Sequence, residues 1–311
     1  MNTLSKPSAP HPSPAAPTPI LRIDKLEKSF ESFSLHDVSF AVEEGTIVGI
    51  VGSNGAGKTT TIKSALGITL PDGGSIALFG EEVVGMPEKR LAQLKQDVGV
   101  VFDSCSFPDE YRVKNVAQAM RRVYANWSDT AFQNLVREFD LPLKGLVKDL
   151  SRGMGMKLSL ACALAHSPRL LVLDEATAGL DPIARDGVLD MLREFVAEDE
   201  TRAVLMSSHI TSDLDKIADR IVCIDAGSMA FDVDADAISQ AGIALCRKAD
   251  ADTVLRSDAF GQNRLRIERD AHVTRILVPD RFAFAEAFPA VPVEAADVES
   301  FMHFMLKGAA Q

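Results

Sequence analysis

The hydrophobic and polar positions of this chain change period several times. Residues 20–30 and 33–42 read as paired strands that end at the Glu43-Glu44-Gly45 turn. Residues 46–51, Thr-Ile-Val-Gly-Ile-Val, form an apolar, β-branched run of the kind a buried strand needs. Residues 60–66 then read as the first turns of a helix. After the turn Pro71-Asp72-Gly73-Gly74 come a strand over 75–79, a helix over 87–96 and a buried strand over 98–102. Residues 114–124 and 128–139 have amphipathic helical spacing, and 154–166 is a helix with small residues on one face. An apolar strand over 170–173, a helix over 186–197 and a strand over 203–207 follow. Alternating strands and helices imply a parallel α/β core, with the helices from 114 to 166 as an inserted lobe. Farther on, strands are expected at 243–247, 264–269 and 273–278, and helices at 281–288 and 298–306. These form a small α+β appendage over 237–311, without a metal cluster or nucleophile. Residues 1–19 show neither period. They are rich in Pro, Ser, Ala and Thr, contain no apolar signal-peptide core, and are expected to be disordered or polyproline-like. The tail is either an idle extension or a partner-recruiting segment.

Composition narrows the class. The chain has 311 residues, 46% of them hydrophobic, and a formal net charge of −11. Mean hydropathy is +0.06 and the isoelectric point about 5.1. That is a globular, soluble composition, with room for one large α/β domain and something smaller. No apolar run approaches the ~20 residues of a membrane helix. The acidic balance argues against a general nucleic-acid surface. Cys105, Cys162, Cys223 and Cys246 have no C-x-x-C spacing, which points to reduced thiols rather than disulfides or zinc.

The candidate chemistry begins at Gly52-Ser53-Asn54-Gly55-Ala56-Gly57-Lys58-Thr59-Thr60, which fits G-x-x-x-x-G-K-[ST] between a strand and a helix. Glycines let backbone N–H groups turn inward on phosphate oxygens, and the helix N-terminus adds partial positive charge. Lys58 can reach the β- and γ-phosphates, and the Thr59 hydroxyl can ligate Mg²⁺. The second element is Leu170-Leu171-Val172-Leu173-Asp174-Glu175. It sets two carboxylates at the carboxyl edge of the sheet, beside the phosphate loop. Asp174 can hold Mg²⁺ directly or through water, and Glu175 can accept a proton from a water attacking the γ-phosphate.

With these motifs the chain resembles the ABC-type ATPases. Leu150-Ser151-Arg152-Gly153-Met154 looks like their LSGGQ signature, Ala178-Gly179-Leu180-Asp181-Pro182 like their D-loop, and Ser207-Ser208-His209 like their H-loop. Phe30 stands where the family keeps an adenine-stacking aromatic. Order and spacing match from about residue 21 to 232, most closely those of bacterial transporter subunits whose membrane part is a separate polypeptide. The resemblance implies a P-loop NTPase (RecA-like) core with N-terminal antiparallel strands over 20–236, a helical subdomain at about 104–167, and ATP and Mg²⁺ as ligands. It also implies a homodimer or heterodimer closing head to tail over two ATP molecules. Ser151 and Gly153 would then touch the γ-phosphate across the dimer, Asp181 would tie one site to its twin, and His209 would hold Glu175 and water in line. The resemblance implies a subunit that powers a transporter of the exporter kind and sits on the inner face of the cell membrane through its permease. The other class weighed is a soluble ABC-type ATPase of translation, repair or chromosomes. A single P-loop, no heptads, no cysteine clusters and an acidic balance favour the transporter.

The chain departs from the family pattern at three places. Asp103 replaces a glutamine: it either joins the Mg²⁺ shell or points away to cap Ser106 or a nearby turn. Arg152 replaces the first glycine of the signature and Met154 its glutamine. Arg152 either offsets Asp103 across the dimer or is solvated. Ala176 replaces a proline. The aromatics Tyr111, Tyr124 and Trp127 suit a socket for a membrane subunit or the internal packing of the lobe. The ending Asp297-Val298-Glu299-Ser300-Phe301-Met302 resembles tails of exporter ATPases.

Overall fold

The computed structural model describes residues 19–257, 265–270 and 273–310. The tail expected over 1–19 lies outside them except for Pro19, as does Arg264, where the strand over 264–269 was expected to begin.

In chain order the first elements are β1 (Leu21–Ser29), β2 (Ser34–Val42), β3 (Ile47–Val51), α1 (Lys58–Ala65), β4 (Gly73–Leu78), β5 (Glu81–Glu82), α2 (Glu88–Leu94) and β6 (Val98–Val101). The lobe follows as α3 (Val113–Val123), α4 (Asp129–Glu138) and α5 (Arg152–Leu164). The chain then returns through β7 (Leu170–Asp174), α6 (Pro182–Ala197), β8 (Ala203–Ser207), α7 (Thr211–Ile217), β9 (Arg220–Asp225) and β10 (Ser228–Asp234). These strands make one sheet of order β5-β4-β1-β2-β10-β9-β3-β8-β7-β6. Its β9-β3-β8-β7-β6 half is parallel. The β1, β2, β4 and β5 strands pair antiparallel.

The parallel half explains its own sequence. Every residue of β3, β7 and β8 is buried. Side chains alternate between two cores: Val51, Leu171, Leu173, Val204 and Met206 pack on one face, and Val48, Ile50, Leu170, Val172 and Leu205 on the other. A strand covered on both sides has no polar face to display, so its sequence reads as an unbroken apolar run. All five parallel strands therefore deliver their carboxyl ends to one edge, where the phosphate loop, Asp103, Asp174-Glu175 and His209 emerge.

Helix α6 begins four residues before the expected 186. Asp181 accepts a hydrogen bond from the Ala184 N–H at 3.0 Å and Pro182 follows at the first helical position, a capping arrangement that starts the helix there. Helix α7 and strands β9 and β10 fall in a stretch for which no element was expected. In the lobe Phe132 is 1% exposed, and Trp127 lies over it with ring centroids 5.3 Å apart.

The remaining elements are α8 (Ala235–Gln240), β11 (Gly242–Cys246), α9 (Lys248–Arg256), β12 (Arg266–Arg269), β13 (Thr274–Val278), α10 (Arg281–Ala287), β14 (Val293–Ala295), α11 (Val298–Lys307) and β15 (Ala309–Ala310). The strands form a second, antiparallel sheet of order β14-β11-β13-β12-β15. Helix α11 opens with a capping box between Asp297 and Ser300. It returns to the large sheet's layer: Val298 N–H donates to Asp215 Oδ1 at 2.8 Å, and Phe301 meets Phe231 edge-on at 5.3 Å.

Candidate functional site

Strand β3 lies inside the parallel half, between β9 and β8, and the loop after it is built around backbone that only glycine allows. Gly52 has φ 148 and Gly57 φ 116. A Cβ on Gly52 would overlap the Ile224 carbonyl oxygen, and one on Gly57 would stand 2.5 Å from Leu35 Cδ2. The loop is thus pressed against β9 and β2 and leaves its outer side open. That side walls a cavity of about 610 Å³, lined by Asn54 to Thr60 together with Ser32, Phe33, Asp103, Arg152, Glu175, Ala178 and His209.

Lys58 is 6% exposed. Its ammonium donates to the Gly52 carbonyl at 2.9 Å and the Ser53 carbonyl at 3.3 Å, and lies 3.6 Å from Glu175 Oε1. Carbonyl dipoles are weaker partners than anions, so the ammonium can exchange them for phosphate oxygens. Glu175 is held from two sides. Its Oε2 accepts from the His209 backbone N–H at 3.2 Å and contacts His209 Nδ1. Its backbone has φ 55, a left-handed conformation that is uncommon outside glycine and clusters at functional sites. The fixing partner is Ser207: the Glu175 N–H donates to its carbonyl at 3.1 Å and to its hydroxyl at 3.2 Å. The same hydroxyl donates to Asp174 Oδ1 at 2.6 Å. Ser207 therefore sets both carboxylates at once.

Sequence reasoning read Ser207 only as the start of Ser-Ser-His. The available signal was a hydroxyl ending an otherwise apolar strand; the β7–β8 register sets it directly opposite Asp174. Ser207→Ala is expected to leave the 3%-exposed Asp174 carboxylate without this donor and to cost about 1–3 kcal/mol of stability. The urea midpoint of the full chain checks this, and an unchanged midpoint would show that the bond contributes nothing.

Of the residues expected at the site, Asn54, Gly55, Ala56, Gly57, Lys58, Thr59, Thr60, Asp103, Glu175 and His209 share the cavity. Asp174 lies buried behind it. Ser53 sits at its margin, its hydroxyl 3.3 Å from Asp225. Phe30 is exposed beyond β1 with Lys28 5.6 Å above its ring, while Phe33 lines the cavity. Ser151, Gly153 and Asp181 do not line it. Ser151 caps α5 by accepting from the Met154 N–H at 3.2 Å, and Asp181 caps α6. The Ala184 N–H holds the Asp181 carboxyl below the usual aspartate range. Asp103 is exposed on the cavity wall and makes no hydrogen bond to Ser106 among the described residues.

The oxygen donors suit a hard cation: Thr59 and Asp103 both line the cavity wall, and Asp174 is buried beside the loop that carries Glu175. No group of three or more His, Cys, Asp or Glu side chains among the described residues is arranged to hold a metal. Nucleotide phosphates would have to complete the shell.

The aromatics of the lobe divide. The Trp127 indole N–H donates to Asp129 Oδ1 at 2.9 Å, and its ring packs within the lobe. Tyr124 stacks on His166 with centroids 3.7 Å apart. Tyr111 is 42% exposed. A second cavity, of about 140 Å³, is lined by Phe102, Phe107, Met120 and Tyr124 among others.

Comparison with known proteins matches residues 35–178 to the ABC transporter family. The chain is 30% identical over 237 residues to "ABC transporter ATP-binding protein YtrB" of Bacillus subtilis, covering 76% of this chain and 79% of that protein. It is 36% identical over 218 residues to "Nod factor export ATP-binding protein I" of Burkholderia lata, covering 67% of this chain and 69% of that one. Among solved structures it is similar to an ATP-binding subunit of an ABC transporter, with TM-score 0.63, 26% identity, and coverage of 70% of this chain and 91% of that one. A dimeric ATP-binding cassette bound to ADP and Pi has the same fold, with TM-score 0.63, 19% identity, and coverage of 69% and 98%.

Proposed function

The chain belongs to the ABC transporter ATP-binding family and hydrolyses ATP, and from that premise we propose that it drives an export system by ATP-dependent closure of two ATPase subunits. The observation that carries this reading is the division of the signature. Ser151 and Gly153 stand at the N-terminus of α5, off the cavity that holds Lys58, Glu175 and His209. Their hydroxyl and N–H groups would meet a nucleotide only on another copy. Closing two copies head to tail would add them to each γ-phosphate as preorganised donors. The helix dipole of α5 would act in the same sense.

Within each site the chain's own groups divide the work. Lys58 moves from the Gly52 and Ser53 carbonyls to the β- and γ-phosphates. Phe33, on the cavity wall beside Gly57, and Phe30, exposed at the end of β1, flank the place for the base. Glu175 takes the proton of the attacking water, with His209 holding the carboxylate at the γ-phosphate side. Thr59 and Asp174, with Asp103 on the wall, would hold Mg²⁺, which when bound neutralises charge on the β- and γ-oxygens.

No helix among the described residues is long and apolar enough to cross a membrane, so a separate permease would supply the path. Export is supported by relatives named for Nod factor export, and a location on the inner face of the cell membrane would follow from docking on that permease. The face carrying the Phe102, Phe107 and Met120 cavity, with exposed Tyr111 on the same lobe, supports a socket there. Tyr111 is 42% exposed and outside the fully buried core of the lobe, so Tyr111→Ala should leave the fold and basal ATPase in place. Truncating an interface aromatic costs on the order of 2 kcal/mol or more of binding, so co-purification with the permease from detergent extracts should weaken. Undiminished co-purification of a folded Tyr111→Ala chain would move the socket elsewhere.

A further inference from the structure

Helix α5 opens on a charge that its own dipole opposes. Arg152 is its first helical residue, directly after the Ser151 cap, and the first turn contains no acidic residue to offset it. A cation at the positive end of a helix is unfavourable unless an anion faces it. Arg152 is exposed and makes no hydrogen bond or ion pair among the described residues. Such a break with local preference, without local compensation, is expected at functional positions.

The side chain's course shows where the anion would be. Its stem runs over the loop that follows β7: a Cβ built on Gly179 would stand 3.0 Å from Arg152 Cγ, Cδ and Nε. Glycine at 179 leaves the stem that track. The track ends at the P-loop cavity, whose wall Arg152 shares with Asp103, Glu175 and His209 of the same chain. Its neighbours Ser151 and Gly153 are not on that wall. The cavity already holds the Asp103 and Glu175 carboxylates, and Lys58 is its buried cation. A triphosphate entering it needs further positive charge on the side away from Lys58.

We infer that Arg152 contacts the terminal phosphate of the nucleotide held by its own P-loop, so that a single subunit distinguishes ATP from ADP before a second copy closes on it. The inference rests on reading the cavity as the ATP site. Arginine suits the task because its planar fork can give two parallel hydrogen bonds to one phosphate. In the closed pair, Ser151 and Gly153 would serve the partner's nucleotide and Arg152 its own, so the N-terminal turn of α5 would touch both sites.

The test is equilibrium binding of a fluorescent non-hydrolysable ATP analogue and of fluorescent ADP to the full chain. It is run at a concentration at which mass photometry shows single copies. Arg152→Ala should weaken the ATP analogue by about tenfold to a hundredfold, the range of a charge-assisted hydrogen bond. ADP binding should change by less than about threefold, since ADP lacks the contacted group. Arg152→Lys should recover part of the loss, and the unfolding midpoint of Arg152→Ala should be unchanged or higher, because a cation leaves a helix N-terminus. Equal effects on both nucleotides, or none on either, would overturn the inference. So would a loss that emerges only at concentrations where copies pair, since Arg152 would then serve the partner's site. Lys58→Ala is the control: if it binds both nucleotides like the parent chain, the cavity reading falls and this inference with it.

Discussion

Glu175→Gln is expected to slow ATP turnover by about 10²–10⁴-fold, the usual contribution of a positioned general base, while ATP stays bound. The amide keeps the size of the carboxylate and can still accept the His209 N–H that now reaches Oε2 at 3.2 Å. The backbone of residue 175 remains fixed by Ser207. What disappears is the ability to take a proton from water. Binding depends on the loop from Gly52 to Thr60 and on Lys58, which the substitution leaves in place. Phosphate release and retained nucleotide, measured on the same sample, check the two halves separately. Turnover at the parental rate would remove Glu175 from the role of base.

Lys58→Ala should act in the opposite order, with affinity lost first. The ammonium is almost fully buried and, among the described residues, is held by two loop carbonyls and Glu175 at 3.6 Å. It is the buried cation of the cavity wall, set at the lysine position of the phosphate loop that reaches the β- and γ-phosphates. The loss should be on the order of a hundredfold in ATP affinity. The loop itself should hold its shape: Ala56 N–H still donates to the Ser53 carbonyl at 3.1 Å, and Gly227 N–H to the Ala56 carbonyl at 3.0 Å. Titration calorimetry on the full chain checks the affinity. An ATP dissociation constant within threefold of the parent's, a difference below about 1 kcal/mol, would contradict the phosphate-cradle reading.

Much of the fold was legible because its physics is local. Runs buried on two faces read as β3, β7 and β8, and amphipathic spacing read as α3 and α4. The phosphate loop was legible because glycine is the residue that tolerates φ 116 at position 57 with Leu35 pressed against it. What escaped depends on contacts between distant segments. Between Phe30 and Phe33 the chain makes a tight turn, closed by the Phe30 N–H donating to the Phe33 carbonyl at 2.7 Å. Which ring then faces Gly57 is decided by the loop it packs on, not by the turn residues. Ser207 gains its part only when β7 and β8 pair in a register that sets it beside Asp174. Trp127 suits either the socket or the internal packing of the lobe on composition alone; its contacts with Asp129 and Phe132 place its ring inside the lobe. The stretch from 211 to 240 contained a readable strand in Ile221-Val222-Cys223-Ile224, which is buried throughout. The course of Arg152 over Gly179 is of the same long-range kind.

The closure of two subunits over ATP is tested most directly by the mass of the Glu175→Gln chain in solution, measured by light scattering after size exclusion with Mg²⁺ and either ATP or ADP. Hydrolysis no longer empties the site in this variant, so the species that ATP creates should persist. The expected result is twice the chain mass with ATP and the single-chain mass with ADP or no nucleotide. A single-chain mass with ATP demonstrably bound would contradict a mechanism in which Ser151 and Gly153 of one copy complete the site of another.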